Sequence, residues 1–201
     1  MVHLIIKYSD VFIEVENDEV VEEVNNHVKK LNKEKKVLSH LVVDQQEVYT
    51  DFENYIELNK EKINEIEVIT LTYEEMTHQI LISIEEYLDR MLPNLEEIIE
   101  ENYGELNEVF WSHMTDFGEG MNFIISFVGN LKELNPQIYT TFESNIVMLT
   151  NGFKELVTSF ENKDATFSFD ILSYEIKPAL EALQNNIKSI IKLRVGDNIE
   201  H

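Results

Sequence analysis

The chain has 201 residues, with 16 Lys and Arg against 39 Asp and Glu, a net charge of −23 and no cysteine. Disulfides, thiolate metal sites and cysteine nucleophiles are excluded, and the excess of acid disfavours nucleic acid and anionic membranes, which are bound through Lys and Arg. No window approaches the roughly 18 consecutive apolar residues of a membrane span, and MVHLIIKYSDVF lacks the basic segment and apolar run of a secretion signal, so a cytoplasmic protein is expected.

Two β-type runs, 3–7 and 11–15, flank Tyr8-Ser9-Asp10 and predict a hairpin. Asn17 or Asp18 is placed to cap a helix through about Leu31, whose apolar face is Val20, Val21, Val24, Val28 and Leu31. Lys29, Lys30, Lys33, Lys35 and Lys36 gather at its C-terminal end, where they suit the negative pole of the helix dipole. Residues 37–43 predict a third strand, Asp44-Gln45-Gln46 a turn, and 47–49 a short fourth strand. Thr50 or Asp51 then caps a short helix carrying Phe52, Tyr55 and Ile56, and 65–71 close the segment as a fifth strand.

At Thr72 the hydrophobic period changes from two to about four. Thr72-Tyr73-Glu74-Glu75 is a capping-box pattern in which the Thr72 hydroxyl accepts from the Glu75 N–H and the Glu75 carboxylate reaches back to the Thr72 N–H. The expected division is a small α/β domain at 1–72 and a helical domain at 73–201.

The order β-β-α-β-β-α-β over residues 1–72, with its opening hairpin and the VLSHLVVDQQEVY hairpin, resembles the ubiquitin-like β-grasp fold. That resemblance implies a domain type often used as a binding module. It implies no conjugation or sulfur-carrier chemistry, because the closing strand runs into a helix and the sequence ends Asn198-Ile199-Glu200-His201 in place of a free Gly-Gly tail. The HLVVD and EVY segments, the EIEVIT strand and the EYLDRMLP segment are similar to those of an uncharacterised family of Gram-positive bacterial proteins, which brings no catalytic residues with it.

Four long helical segments are expected after the junction, assembled as an antiparallel up-down bundle, so the fold class is α+β. The first runs from Tyr73 to about Tyr103, with a kink or break at Pro93 and a stop at Gly104. The second runs from about Glu105 to Leu134, with Gly118 and Gly120 marking either close helix approach or a break near Asp116. Asn135-Pro136 starts the third, as N-cap and N1 residue. The fourth covers about Ala165 to Arg194, with a kink or local break at Pro178. Phe110, Phe117, Phe142, Phe153 and Phe160 fall on the apolar stripes and read as core. From Glu74 to Glu119 there are 13 acids against one base, Arg90, a surface able to steer a basic partner.

The candidate chemistry is sparse. Glu75 and His78 form a Glu-x-x-His step, and His113 and Asp116 are the further candidate metal ligands on the second helix. Di-iron carboxylate bundles use two such steps, and this chain has one. Asp116-Phe117-Gly118 copies a kinase tripeptide without the rest of that signature. Ser39 and His40 are neighbours on a strand, so their side chains are expected on opposite faces. No catalytic residues and no cofactor are assigned. The expected function is a non-enzymatic protein-interaction module, an adaptor or chaperone-like factor whose protein partner is basic. The alternatives are a metal-binding helical bundle and a homodimeric assembly factor.

Overall fold

The computed structural model describes residues 1–6 and 11–197. The expected turn at Tyr8-Ser9-Asp10 and the last four residues lie outside the described residues. The fold is α+β, and the chain separates into two compact units, Met1–Met76 and Thr77–His201.

The first unit holds β1 (Val2–Ile6), β2 (Val11–Val15), α1 (Val20–Leu31), β3 (Lys36–Val43), β4 (Gln46–Val48), α2 (Phe52–Asn59) and β5 (Glu65–Thr72). The sheet order is β2-β1-β5-β3-β4, with β1 and β5 parallel and all other neighbours antiparallel. Strand alternation gathers Val2, Leu41, Val43, Ile66 and Val68 into one core with Val20 and Val24 of α1 and Ile56 of α2. The β3–β4 turn lacks glycine, yet Asp44 and Gln45 both take positive φ, 45° and 72°. Two left-handed residues match the twist of a two-residue hairpin. The Asp44 carboxylate also accepts from the N–H groups of Asn64 and Glu65, at 3.1 and 2.9 Å, which ties the turn to the start of β5.

Neither Asn17 nor Asp18 caps α1; Glu19 holds the N-cap position without a side-chain bond. Both expected caps have partners across the unit instead. Asn17 donates to the Lys60 carbonyl at 2.8 Å, and Asp18 meets the Lys60 ammonium at 2.9 Å. With Glu57 and Asp18 both on its ammonium, Lys60 has its pKa pushed well above the ordinary lysine value. At the other end of the unit the capping box is formed: Thr72 N–H donates to Glu75 Oε2 at 2.7 Å, and Glu75 N–H donates to Thr72 Oγ1 at 3.1 Å. The Tyr73 N–H, freed at the helix start, donates to the Lys35 carbonyl at 3.0 Å.

From β5 the chain passes directly into α3 (Tyr73–Asn102), followed by α4 (Glu108–Leu134), α5 (Pro136–Glu161), α6 (Ala165–Ile171) and α7 (Lys177–Asp197). Of the two outcomes expected at Pro93, a break is absent, since α3 runs unbroken through it and Pro93 is exposed. Gly104 takes the left-handed φ of 83° that ends the helix. α4 starts later than expected because Asn107, whose side chain accepts from the Phe110 N–H, is its cap. It is also unbroken at Gly118 and Gly120. Asn135 caps α5 as expected, with Pro136 in the first turn. The fourth segment is interrupted by a π-turn, Leu172–Ile176, in which the Lys177 N–H bonds the Leu172 carbonyl. This wider turn lies just ahead of Pro178, whose ring would otherwise press on the Tyr174 carbonyl.

Ring pairs set the direction of packing. Phe117 stacks with Phe153 at 5.6 Å and Phe110 meets Phe160 edge-on at 5.8 Å. Each pair is equidistant in sequence from Asn135, so α4 and α5 form an antiparallel hairpin in register about that residue. Asp89 with Gln184 and Glu96 with Lys177 pair α3 and α7 in the same antiparallel sense.

Candidate functional site

Of the four candidate metal ligands, two, His113 and Asp116, line one cleft. Glu75 belongs to the first unit, and its carboxylate is taken up by Thr72. The two hydrogen bonds from Thr72 hold it below the ordinary glutamate pKa, with Lys36 adding to the effect. His78 has a buried Nδ1 with no hydrogen-bond partner among the described residues. His113 and Asp116, one helical turn apart on α4, face a common cleft. Among the described residues, no three His, Asp or Glu side chains gather into a group that would hold a metal ion.

Ser39 and His40 depart from the expected opposite orientation. A β-bulge between Leu38 and His40 breaks the alternation of β3. Ser39 Oγ and His40 Nδ1 consequently share a hydrogen bond of 3.0 Å, and the imidazole stacks on Tyr49 at 4.7 Å. A Ser-His nucleophile also needs a group that orients the histidine from its other nitrogen. Among the described residues no carboxylate bonds His40, so the pair has hydrogen-bonding geometry without that support.

The second unit contains a more developed concavity, a cleft of about 180 Å³ between α3 and α4. Helical spacing explains its lining. Met91, Leu95 and Ile98 of α3 recur at steps of four and three, and with Phe117 of α4 they make a buried apolar floor. Tyr87, Arg90 and Asn94 of α3, with His113 and Asp116 of α4, bring polar groups to the same space. Tyr87 is positioned by Gly120 and Phe123. A Cβ on Gly120 would overlap the Tyr87 hydroxyl and ring, and the Phe123 ring lies 5.6 Å away. Close approach therefore explains Gly120, whereas Gly118 and Gly129 have open space around them. Burial raises the Tyr87 pKa, opposed by Arg90 and reinforced by Asp116.

The five polar groups of the cleft make no side-chain hydrogen bond or ion pair among the described residues. A second groove, between α3 and α7, is the opposite case. Its charged groups are already matched, Lys177 to Glu96 at 2.7 Å and Gln184 to Asp89 at 2.8 Å. Tyr87 and Asn94 did not stand out in the sequence. The available signal was Arg90, the one base in an acidic stretch, spaced three and four residues from them on one helix face.

Among the described residues no helix is long and apolar enough to cross a membrane. No curated protein and no solved structure matches the chain. A family model described as a domain of unknown function, DUF8042, matches residues 79–186. The match lies inside the helical unit, includes every residue of the α3–α4 cleft and covers more than half of the chain. The chain therefore belongs to the DUF8042 family.

Proposed function

We propose that the protein is a non-enzymatic, cytoplasmic interaction module, an adaptor or chaperone-like factor, in which a ubiquitin-like β-grasp domain is joined to an acidic four-segment helical bundle. The mixed strand order β2-β1-β5-β3-β4 with α1 on one face supports the first assignment. The antiparallel pairings of α4 with α5 and of α3 with α7 support the second.

The observation that carries the function is an exposed aromatic residue at each of the two open edges of the sheet. Phe12 on the edge strand β2 is 73% exposed, and Tyr49, stacked on His40 just beyond the other edge strand, is 62% exposed. Acidic neighbours Glu14 and Glu47 are exposed on the same two edges. Large exposed aromatics beside acids fit a protein partner that brings apolar and basic groups, and open strand edges accept an added strand. The same charge disfavours nucleic acid and membrane as partners.

Affinity capture with cross-linking, comparing the natural chain with Phe12→Asp, tests this reading. It expects a specific protein held by the natural chain and lost from a variant whose unfolding transition is unchanged. Absence of any specific partner, together with turnover in an activity screen, overturns it. A homodimeric assembly factor is the second reading, favoured by the adjacent exposed Val147 and Met148 on α5. A sedimentation mass equal to one 23.6 kDa chain removes that version.

A further inference from the structure

We propose that the α3–α4 cleft is a binding site for a free α-amino acid with an apolar side chain. The proposal rests on what the cleft contains and on the field around it. Its floor is buried and apolar, and its polar groups are one guanidinium, one carboxylate, one amide, one imidazole and one phenol. Convergent polar groups over an apolar floor are the usual composition of a small-molecule site. In a helical seam such groups ordinarily satisfy one another, as they do between α3 and α7. Here Arg90, exposed along with Asn94, His113 and Asp116, has Glu86 one turn before it, at the spacing of a helical ion pair, yet among the described residues makes no salt bridge and lines the cleft.

Charge selects the ligand class. A monoanion would approach through the field of a stretch with 13 acids and one base, and would meet the Asp116 carboxylate in the lining. A plain amine would meet Arg90 and leave that guanidinium unmatched. A zwitterion carries no net charge into the acidic field and matches both groups, its carboxylate on Arg90 and its ammonium on Asp116. The Asn94 amide and the Tyr87 hydroxyl are further donors for the carboxylate. The side chain of the amino acid then covers Met91, Leu95, Ile98 and Phe117. Size agrees: an apolar cavity of about 150 Å³ takes a benzene ring, so a cleft of about 180 Å³ accommodates a branched or aromatic side chain.

Titration calorimetry of the full chain with L-leucine and L-phenylalanine tests the site. Each is compared with its partners lacking one charge, 4-methylpentanoate and 3-methylbutylamine for leucine, 3-phenylpropanoate and phenethylamine for phenylalanine. The expected result is binding of an amino acid, with both truncated analogues weaker by about tenfold or more, the loss expected for one charged hydrogen bond. Arg90→Gln and Asp116→Asn should each weaken the amino acid by a similar factor without moving the melting temperature. Lys177→Gln in the neighbouring groove should leave binding unchanged. No heat with either amino acid, equal binding of a truncated analogue, or natural affinity in both cleft variants overturns the proposal.

Discussion

α5 and α3 belong to the same helical unit but meet their neighbours through different chemistry. α5 is joined to α4 by stacked and edge-on rings, and it meets the fourth segment where Gly152 lets Ile176 approach. Asn145, buried on α5, accepts a hydrogen bond from Asn186 at 3.1 Å. α3 has its own buried stripe, Ile80, Leu81, Ile84, Leu88 and Leu95, but its two flanks are polar. One flank carries the ion pairs to α7 and the other carries the cleft beside α4. Close apolar packing fixes geometry through many small contacts. Polar flanks leave charged groups near water, where they contribute little to stability and can meet a ligand.

The contrast is broken first at the tight side. Phe142 on α5 is completely buried, and Phe142→Ala is expected to cost about 3–5 kcal/mol in urea unfolding, the range for a large aromatic removed from a core. A cost below about 1 kcal/mol would mean that α5 is loosely packed and the distinction is wrong.

The next effect is at Gly120, where the Tyr87 side chain of α3 packs against α4. Gly120→Ala forces Tyr87 to move, at about 1–3 kcal/mol for overpacking, against a helix-propensity gain of roughly 1 kcal/mol. Gly118→Ala and Gly129→Ala have no such neighbour and should stabilise by about 0.4–1 kcal/mol. Combining Gly120→Ala with Tyr87→Ala separates the two terms, because the overlap is gone and the propensity gain remains. If all three glycines respond alike in thermal melts, Tyr87 is not held against Gly120.

A smaller effect is expected where α3 begins. Thr72→Ala removes both bonds between the Thr72 hydroxyl and Glu75 while leaving the backbone N–H on the carboxylate, and should cost about 1 kcal/mol. Glu75 has a depressed pKa in the folded chain, so its carboxylate favours folding above the ordinary glutamate pKa, and that contribution is lost as pH falls through the folded value. The difference between natural chain and variant should therefore shrink in acid. A difference that is constant from neutral to acid pH would show that the Thr72 hydroxyl does not bond the carboxylate.

The parts of the fold that local chemistry decides were legible beforehand. Thr72 with Glu75, Asn135 with Pro136, and Gly104 each act within a few residues, and each stands as the sequence predicts. What escaped depends on partners distant in sequence. Asn17 and Asp18 are good cap residues drawn to Lys60, more than 40 residues away, and a cap pattern carries no sign of that competitor. The π-turn before Pro178 and the bulge at Ser39 each shift the register of one element, which a fixed period cannot show. At the site, the metal candidates Glu75 with His78 and His113 with Asp116 share only their spacing along the sequence. The cleft instead pairs about three turns of α3 with one turn of α4, so its membership follows from how the helices pack.

The smallest expected effect sharpens the polar side of the contrast. Lys188 and Asp89 lie 2.8 Å apart across α3 and α7, with both side chains a third or more exposed. A double-mutant cycle with Lys188→Ala and Asp89→Ala should give a coupling of about 0.2–1 kcal/mol, falling toward zero in molar salt as the charges are screened. Asp89 also accepts from Gln184, so removing Asp89 alone should cost more than removing Lys188 alone. The neighbouring Lys177 has its pKa raised, chiefly by the Glu96 carboxylate on its ammonium. That contribution is complete below the ordinary lysine pKa and is lost as pH rises through the folded value. Salt and alkali should thus weaken the α3–α7 flank while leaving the Phe142→Ala cost unchanged, because ring packing between α4 and α5 has no charge to screen or titrate. Were molar salt to lower both by the same amount, the two flanks of the bundle would be held by the same forces, and the polar groups along α3 would have no separate role.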